Sequence, residues 1–292
     1  LNVDMYALNS RVNDLYFGIL LLDEQLKQNA LLQDELERNY RQITAYVENG
    51  IANQADLDAV KVEQLNTKQK RVELASSRMA YLKMLSLLVG EKLSQETVLE
   101  KPVPQDDISA VGEIRRPELS LFNAQGVGLQ VQEKALNVRH LPQFGLFVQG
   151  AYGNPGLNML KNEFSPYYIA GVRLSWNFGS LYTLKNDRKV IENKRRQLDN
   201  NRDVFLFNTR LEMTQQDQAI QSLEKQMQDD DEIIRLRTNI RKSAEAKVAN
   251  GTLTVTEMLR ELTNESLARQ SKALHEIQRL MGIYQLKYTT ND

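Results

Sequence analysis

The chain has no cysteine, which excludes a disulfide framework, a thiolate metal site and a thiol nucleophile. Proline and glycine are sparse, 6 and 14 in 292 residues, too few for many short elements. Long hydrophobic runs are missing as well. The longest, Tyr16 to Leu22, falls far short of the roughly 20 residues that a spanning helix needs, so any membrane contact must be made by strands. Only two histidines occur, His140 and His275, and neither has a second histidine at ligand spacing, so no metal site is expected. A formal charge of −1 and the lack of a basic stripe interleaved with aromatics remove the electrostatic ground for nucleic-acid binding. GxxxxGK[ST], HExxH and strand-to-helix G-x-S-x-G are also absent, so the chain reads as no enzyme and as needing no cofactor.

What is present is mostly helical periodicity. Met5, Val12, Ile19 and Leu26 recur every seven residues, with Leu8, Leu15 and Leu22 as the partner row of a coiled-coil seam. Asn49-Gly50 then breaks the helix as a C-terminal cap does, and Asn53 or Ala55-Asp56 can start the next one. The return helix carries Leu65, Val72 and Met79 beside Ala75, Leu82 and Val89, and Gly90 ends it. Further on, Leu206, Met213, Ile220, Met227, Ile234 and Val248 mark a helix on the order of 100 Å long. Asn250-Gly251 repeats the elbow, and Leu267, Leu274, Met281 and Tyr288 continue the seam back. Val47-x-Asn49-Gly50 and Val248-x-Asn250-Gly251 therefore form an internal repeat, with Asp56 and Glu257 each following its glycine at the same distance. The acids Asp229, Asp230, Asp231 and Glu232 and the basic cluster Lys194-Arg195-Arg196 read as solvated faces.

One stretch has period two. Phe144, Leu146, Val148, Gly150 and Tyr152 alternate with another set, as do Tyr168, Ala170, Val172, Leu174, Trp176 and Phe178 with Ile169, Gly171, Arg173, Ser175 and Asn177. Each run has the length of a membrane-crossing strand, and Asn154-Pro155-Gly156 opens a loop between them. A lone hairpin leaves both edges unsatisfied, so its remaining strands must come from elsewhere. The repeat places a hairpin in the second half only; a matching one is expected upstream of Leu1, together with a signal peptide.

The order of these elements resembles the TolC-like outer-membrane efflux protein family over essentially the whole chain. The resemblance rests on the paired Asn-Gly elbows with their acids, Arg116-Pro117-Glu118-Leu119, Leu141-Pro142 and Gly171-Val172-Arg173-Leu174-Ser175-Trp176-Asn177-Phe178-Gly179. It implies a mainly α fold of long antiparallel coiled-coil helices that form an α-helical tunnel, with one β-hairpin contributing to a transmembrane β-barrel. Three protomers would share roughly 12 strands. The implied segments are 1–90, a first helical hairpin; 91–115, a connector; 116–142, a helix leading to the barrel; 143–179, the β-hairpin; and 180–292, a second helical hairpin.

By the same resemblance the protein is a passive homotrimeric conduit in the outer membrane, extending into the periplasm, as part of a tripartite efflux or type I secretion system. Its partners would be a periplasmic adaptor (membrane fusion protein), an inner-membrane transporter and outer-membrane lipid. Asn49, Gly50, Asn250 and Gly251 would form the docking tip, Asp56 and Glu257 the aperture acids, and Val172, Leu174, Trp176 and Phe178 the lipid-facing wall. The family's tyrosine and arginine gate contacts do not carry over, because Val47, Val248, Leu253 and Arg260 stand at those places. The alternative is a structural or periplasmic adaptor coiled-coil protein, which would not need a membrane-length hairpin.

Overall fold

The computed structural model describes residues 2–103 and 113–291. In order, the elements are α1 (Asn2–Glu48), α2 (Gln54–Val89), α3 (Pro117–Arg139), β1 (Gln143–Gly153), β2 (Ser165–Ser175), α4 (Ser180–Ala249) and α5 (Val255–Thr290). Pro104 and its neighbours in the expected connector lie outside the described residues, as does Leu1. The chain divides into two compact units, one of Leu1–Pro117 with Asn208–Asp292, the other of Glu118–Phe207.

In the first unit α1 packs against both α2 and α5. The seam on α1 follows the row Leu15, Asn29, Leu36 and Ile43, all buried, with Ile19 fully enclosed. Met5 and Leu8 are exposed, so the expected seam is filled only beyond the first turns. Each enclosed leucine or isoleucine contributes about 1.5–3 kcal/mol, which supplies what helix propensity alone does not.

Two expected rows are displaced. On α2 the buried row is Val60, Thr67 and Leu74, whereas Leu65, Val72 and Val89 are exposed; of the expected positions Leu82 is the one fully buried, against Leu15 and Ile19. On α5 it is Leu259, Ser266, Ala273 and Leu280, whereas Leu267 is exposed and Leu274, Met281 and Tyr288 are only partly covered. Seven-residue spacing fixes a period but not a phase, and these helices carry more than one apolar row. On α4 the expected row holds, with Met213, Ile220 and Val248 buried.

The acidic run also needs correction. Asp229, Asp231 and Glu232 are exposed, but Asp230 is buried, because four consecutive helical positions sweep most of the circumference and one of them must point inward. Its carboxylate lies 2.9 Å from Nδ1 of His275 on α5. Lys272 donates to Asp231 at 2.5 Å beside it.

In the second unit α3 buries none of its residues. It is held to the first part of α4 by the Phe122 and Phe205 rings, whose centroids are 5.8 Å apart. Arg195 donates to Glu133 at 2.6 Å and Arg188 to Asn137 at 2.9 Å, so the basic cluster is partly spent on α3. β1 and β2 form a two-stranded antiparallel sheet in which Gln143 faces Ser175 and Gly153 faces Ser165. β2 ends at Ser175, short of the expected Phe178, because β1 begins at Gln143 and offers no partner further on. Trp176 has left the ladder, and its indole N–H donates to the carbonyl of His140 at 3.2 Å.

Candidate functional site

Two places gather the expected residues. The first is the pair of elbows. At the end of α1, Gly50 takes φ +73°, and its N–H donates to the Val47 carbonyl at 3.1 Å while Ile51 N–H donates to Tyr46 at 2.9 Å. At the end of α4, Gly251 takes φ +68° with the same bonds, Gly251 to Val248 and Thr252 to Lys247, both 2.9 Å. Asn49 and Asn250 each turn their side-chain amide back onto the carbonyl four residues earlier, at 2.7 and 2.9 Å. A side chain with a Cβ is strained at such a left-handed position, which is why glycine stands at both.

The next helices open with matching capping boxes. Asn53 Oδ1 accepts from Asp56 N–H at 3.1 Å, and Asp56 Oδ2 accepts from Asn53 N–H at 3.0 Å. Thr254 Oγ1 accepts from Glu257 N–H at 3.2 Å, and Glu257 Oε2 accepts from Thr254 N–H at 3.1 Å. Hydrogen bonds from the Thr254 hydroxyl and N–H hold the Glu257 carboxyl below its ordinary range. Asp56 and Glu257, read from sequence as aperture acids, are thus first of all the reciprocal halves of helix caps. The sequence reading missed Thr254, although T-x-x-E is the signal for such a cap.

One hydrophobic cluster joins the elbows. Leu36, Ile43, Val60, Ala244, Val248, Val255, Met258, Leu259 and Leu262 form it, with Val47, Ala52, Leu57 and Leu253 packed alongside. Residues from both halves of the repeat therefore meet at one level.

Further along α5 from this cluster sits a charged node that sequence reasoning did not single out. Glu265, only 2% exposed, accepts from Arg241 Nε at 2.5 Å, Arg269 Nη2 at 2.6 Å and Thr238 Oγ1 at 2.8 Å. Burial penalises its charge, but the bonds from Arg269, Thr238 and Arg241 outweigh that and keep the carboxyl below its ordinary value. Arg241 is also paired with Glu245. No periodicity signals such a node, because a carboxylate on a core row looks like one more surface acid.

The second place is the hairpin. Residues opposite one another in an antiparallel pair project to the same side, so the register places Phe144, Leu146, Val148, Gly150 and Tyr152 on one face with Leu174, Val172, Ala170, Tyr168 and Pro166. Every large side chain of that face is exposed, Leu146 at 86% and Val172 at 67%. The other face carries Gln143, Ser175, Arg173 and Gln149, with the Arg173 guanidinium 5.5 Å over the Phe147 ring and that ring lying against Gly171. The result is a sheet with one wholly apolar side and one mixed side, on which Ile169, Tyr167 and Phe147 stand among the polar groups. Beyond the strand the Trp176 and Phe178 rings lie 4.3 Å apart, tilted by 38°, and both stay exposed.

Among the described residues no helix is long and apolar enough to cross a membrane. No His, Cys, Asp and Glu converge as a metal site among those residues. No protein-family model and no curated protein matches the sequence.

Solved structures do match. The outer membrane protein VceC from Vibrio cholerae superposes with a TM-score of 0.80 at 11% identity, over 96% of this chain and 69% of that one. The chain has the fold of the TolC-like outer-membrane channels. The Campylobacter jejuni CmeC outer membrane channel gives a TM-score of 0.74 at 13% identity, over 99% of this chain and 65% of that one. The open state of the Neisseria gonorrhoeae MtrE outer membrane channel gives 0.74 at 12% identity, over 99% and 67%. Against these TolC-like channels the chain spans about two thirds of their length. Long helices with an antiparallel hairpin, as expected from sequence, are the TolC-like elements that it contains.

Proposed function

We propose that the protein is a passive export conduit of the bacterial outer membrane, a homotrimer whose hairpins contribute to a β-barrel and whose helices form a periplasmic duct. The observation that carries this reading is the hairpin face. Two strands of 11 residues each present an unbroken apolar side, and strands of about 9–11 residues are what a tilted barrel wall requires. Val172 and Leu174 would face lipid, with Trp176 and Phe178 at the headgroup boundary where aromatic rings settle, and Arg173 and Ser175 would face water.

The elbows support the second half of the reading. Asn49, Gly50, Asn250 and Gly251 stand on the surface at one end of the helical pairs, with Asp56 and Glu257 fixed beside them, and there a periplasmic adaptor linked to an inner-membrane transporter would dock. The duct carries no energy source of its own, so transport is driven by the transporter. A coiled-coil adaptor, the rival reading, has no use for an oily two-stranded face.

The test is reconstitution. Purified protein added to a planar lipid bilayer should give discrete, long-lived conductance steps, and its gene should restore efflux to cells lacking their own outer-membrane channel. A water-soluble monomer that leaves the bilayer silent would overturn the proposal.

A further inference from the structure

The two strands of the hairpin, each of 11 residues, contain a single charged side chain, Arg173. It stands on the mixed face, and the register sets Gly145 directly across from it. Gly171, two positions back on the same face, lies opposite Phe147. The Phe147 ring fills the place that a Cβ on Gly171 would take, coming within 2.9 Å of it, while nothing stands within 4 Å of the corresponding place on Gly145. The Arg173 guanidinium rests over that ring, 5.5 Å from its centroid. Two glycines thus clear a floor, an aromatic ring covers one of them and carries the cation, and the ground before the other stays open.

Among the described residues this cation has no carboxylate partner. Other arginines of the same unit are spent, Arg195 on Glu133, Arg188 on Asn137 and Arg196 on Glu192. A ring beneath a guanidinium engages its flat face and leaves the N–H donors along its edge available. That edge matches the paired oxygens of a carboxylate or phosphate. The arrangement therefore fixes a positive charge in place without neutralising it and presents its donors outward.

From this we infer that Arg173 is an oxyanion station in the pore and gives the conduit a preference for anions. The inference rests on the conduit reading given above, in which the mixed face of the hairpin lines water. Rotation about the barrel axis preserves height, so three protomers set three copies of Arg173 at one level of the lumen. Rings of arginine or lysine are the means by which anion and phosphate pores select what passes. The ligand class is a small solute bearing a carboxylate or phosphate group. It is met in passing rather than held, because Arg173 is exposed and its charge acts through water.

Reversal potentials of single channels in a planar bilayer under a KCl gradient test the inference. The unaltered protein should favour chloride, and the preference should fade as salt rises and the screening length falls. Arg173→Gln should lower the chloride-over-potassium permeability ratio by about threefold or more, since a unit charge about 7 Å away in water changes an ion's occupancy by roughly that factor. Added inorganic phosphate should reduce the chloride current, and less so in Arg173→Lys, which keeps the charge but loses the planar fork. Because the chain has no cysteine, Arg173→Cys can be modified in channels already open. A thiosulfonate reagent carrying an ammonium group should restore the preference, and one carrying a sulfonate should invert it. Equal selectivity in all these channels, or a cysteine that water-borne reagents do not reach, would overturn the inference and leave the conduit standing. A current indifferent to phosphate would overturn the oxyanion station. Loss of channels in both Arg173→Gln and Arg173→Cys would contradict it too, because a lumen-facing charge tunes selectivity and is not part of the barrel's fabric. Silent bilayers from the unaltered protein would overturn the conduit and the station with it.

Discussion

The cluster at the elbows and the hairpin treat their apolar residues in opposite ways. Around the elbows, aliphatic side chains from four helices close over one another, and even a carboxylate, Glu265, is enclosed and fully bonded. In the hairpin an entire apolar face is left open, and α3 beside it buries nothing. Contiguous exposed apolar patches of this kind mark surfaces that something else covers. The tip cluster is closed by its own chain, whereas the proposed function has the hairpin face finished by lipid and neighbouring strands.

The largest expected effect breaks the helical side of this contrast. Glu265→Ala takes the shared carboxylate from Arg241, which is 15% exposed and keeps Glu245, and from the more exposed Arg269, and should lower stability by about 3 kcal/mol, the low end for removing one partner of a buried ion pair. Chemical denaturation of the two proteins measures it. On the hairpin side, Leu174→Arg should cost roughly 2–4 kcal/mol near mid-membrane, while Ser175→Arg on the opposite face should mainly change the charge of the duct. Equal losses of outer-membrane assembly in both variants would show the faces to be misassigned.

Acid probes the same node more gently. The Glu265 carboxyl titrates below its ordinary value of 4.5 in the fold, so its contribution is complete above that pH and is lost as pH falls through the folded value. The Tm gap between the native protein and Glu265→Gln should be flat at neutral pH and narrow only below about 4.5. Smaller still is the elbow. Gly251→Trp forces a side chain into a left-handed cap at a cost of about 1 kcal/mol, leaving assembly intact. The same variant should weaken capture of the adaptor and export, and normal export with normal adaptor pull-down would remove the elbow from the docking surface.

Much of this was legible in the sequence. Asn-Gly at both elbows, the buried row of α4 and the strand alternation needed only local chemistry and periodicity. The phases of α2 and α5 were not legible, because Leu65, Val72 and Leu267 satisfy a heptad as well as Val60, Thr67 and Leu259 do, and only packing decides which row turns inward. Asp230 and Glu265 were invisible for a related reason. Their burial depends on partners far along the chain, His275 in one case and Arg241 in the other. The strand end was misplaced because alternation continues through Trp176 and Phe178 where the ladder has already run out.

The central claim is that the open face of the hairpin is covered by lipid. Spin labels placed singly on cysteines at residues 168 to 175, in protein reconstituted into bilayers, test it directly. Tyr168, Ala170, Val172 and Leu174 should report high accessibility to oxygen and low accessibility to a water-soluble nickel chelate, with Ile169, Gly171, Arg173 and Ser175 the reverse. Chelate access that is equal along the whole strand would contradict the account.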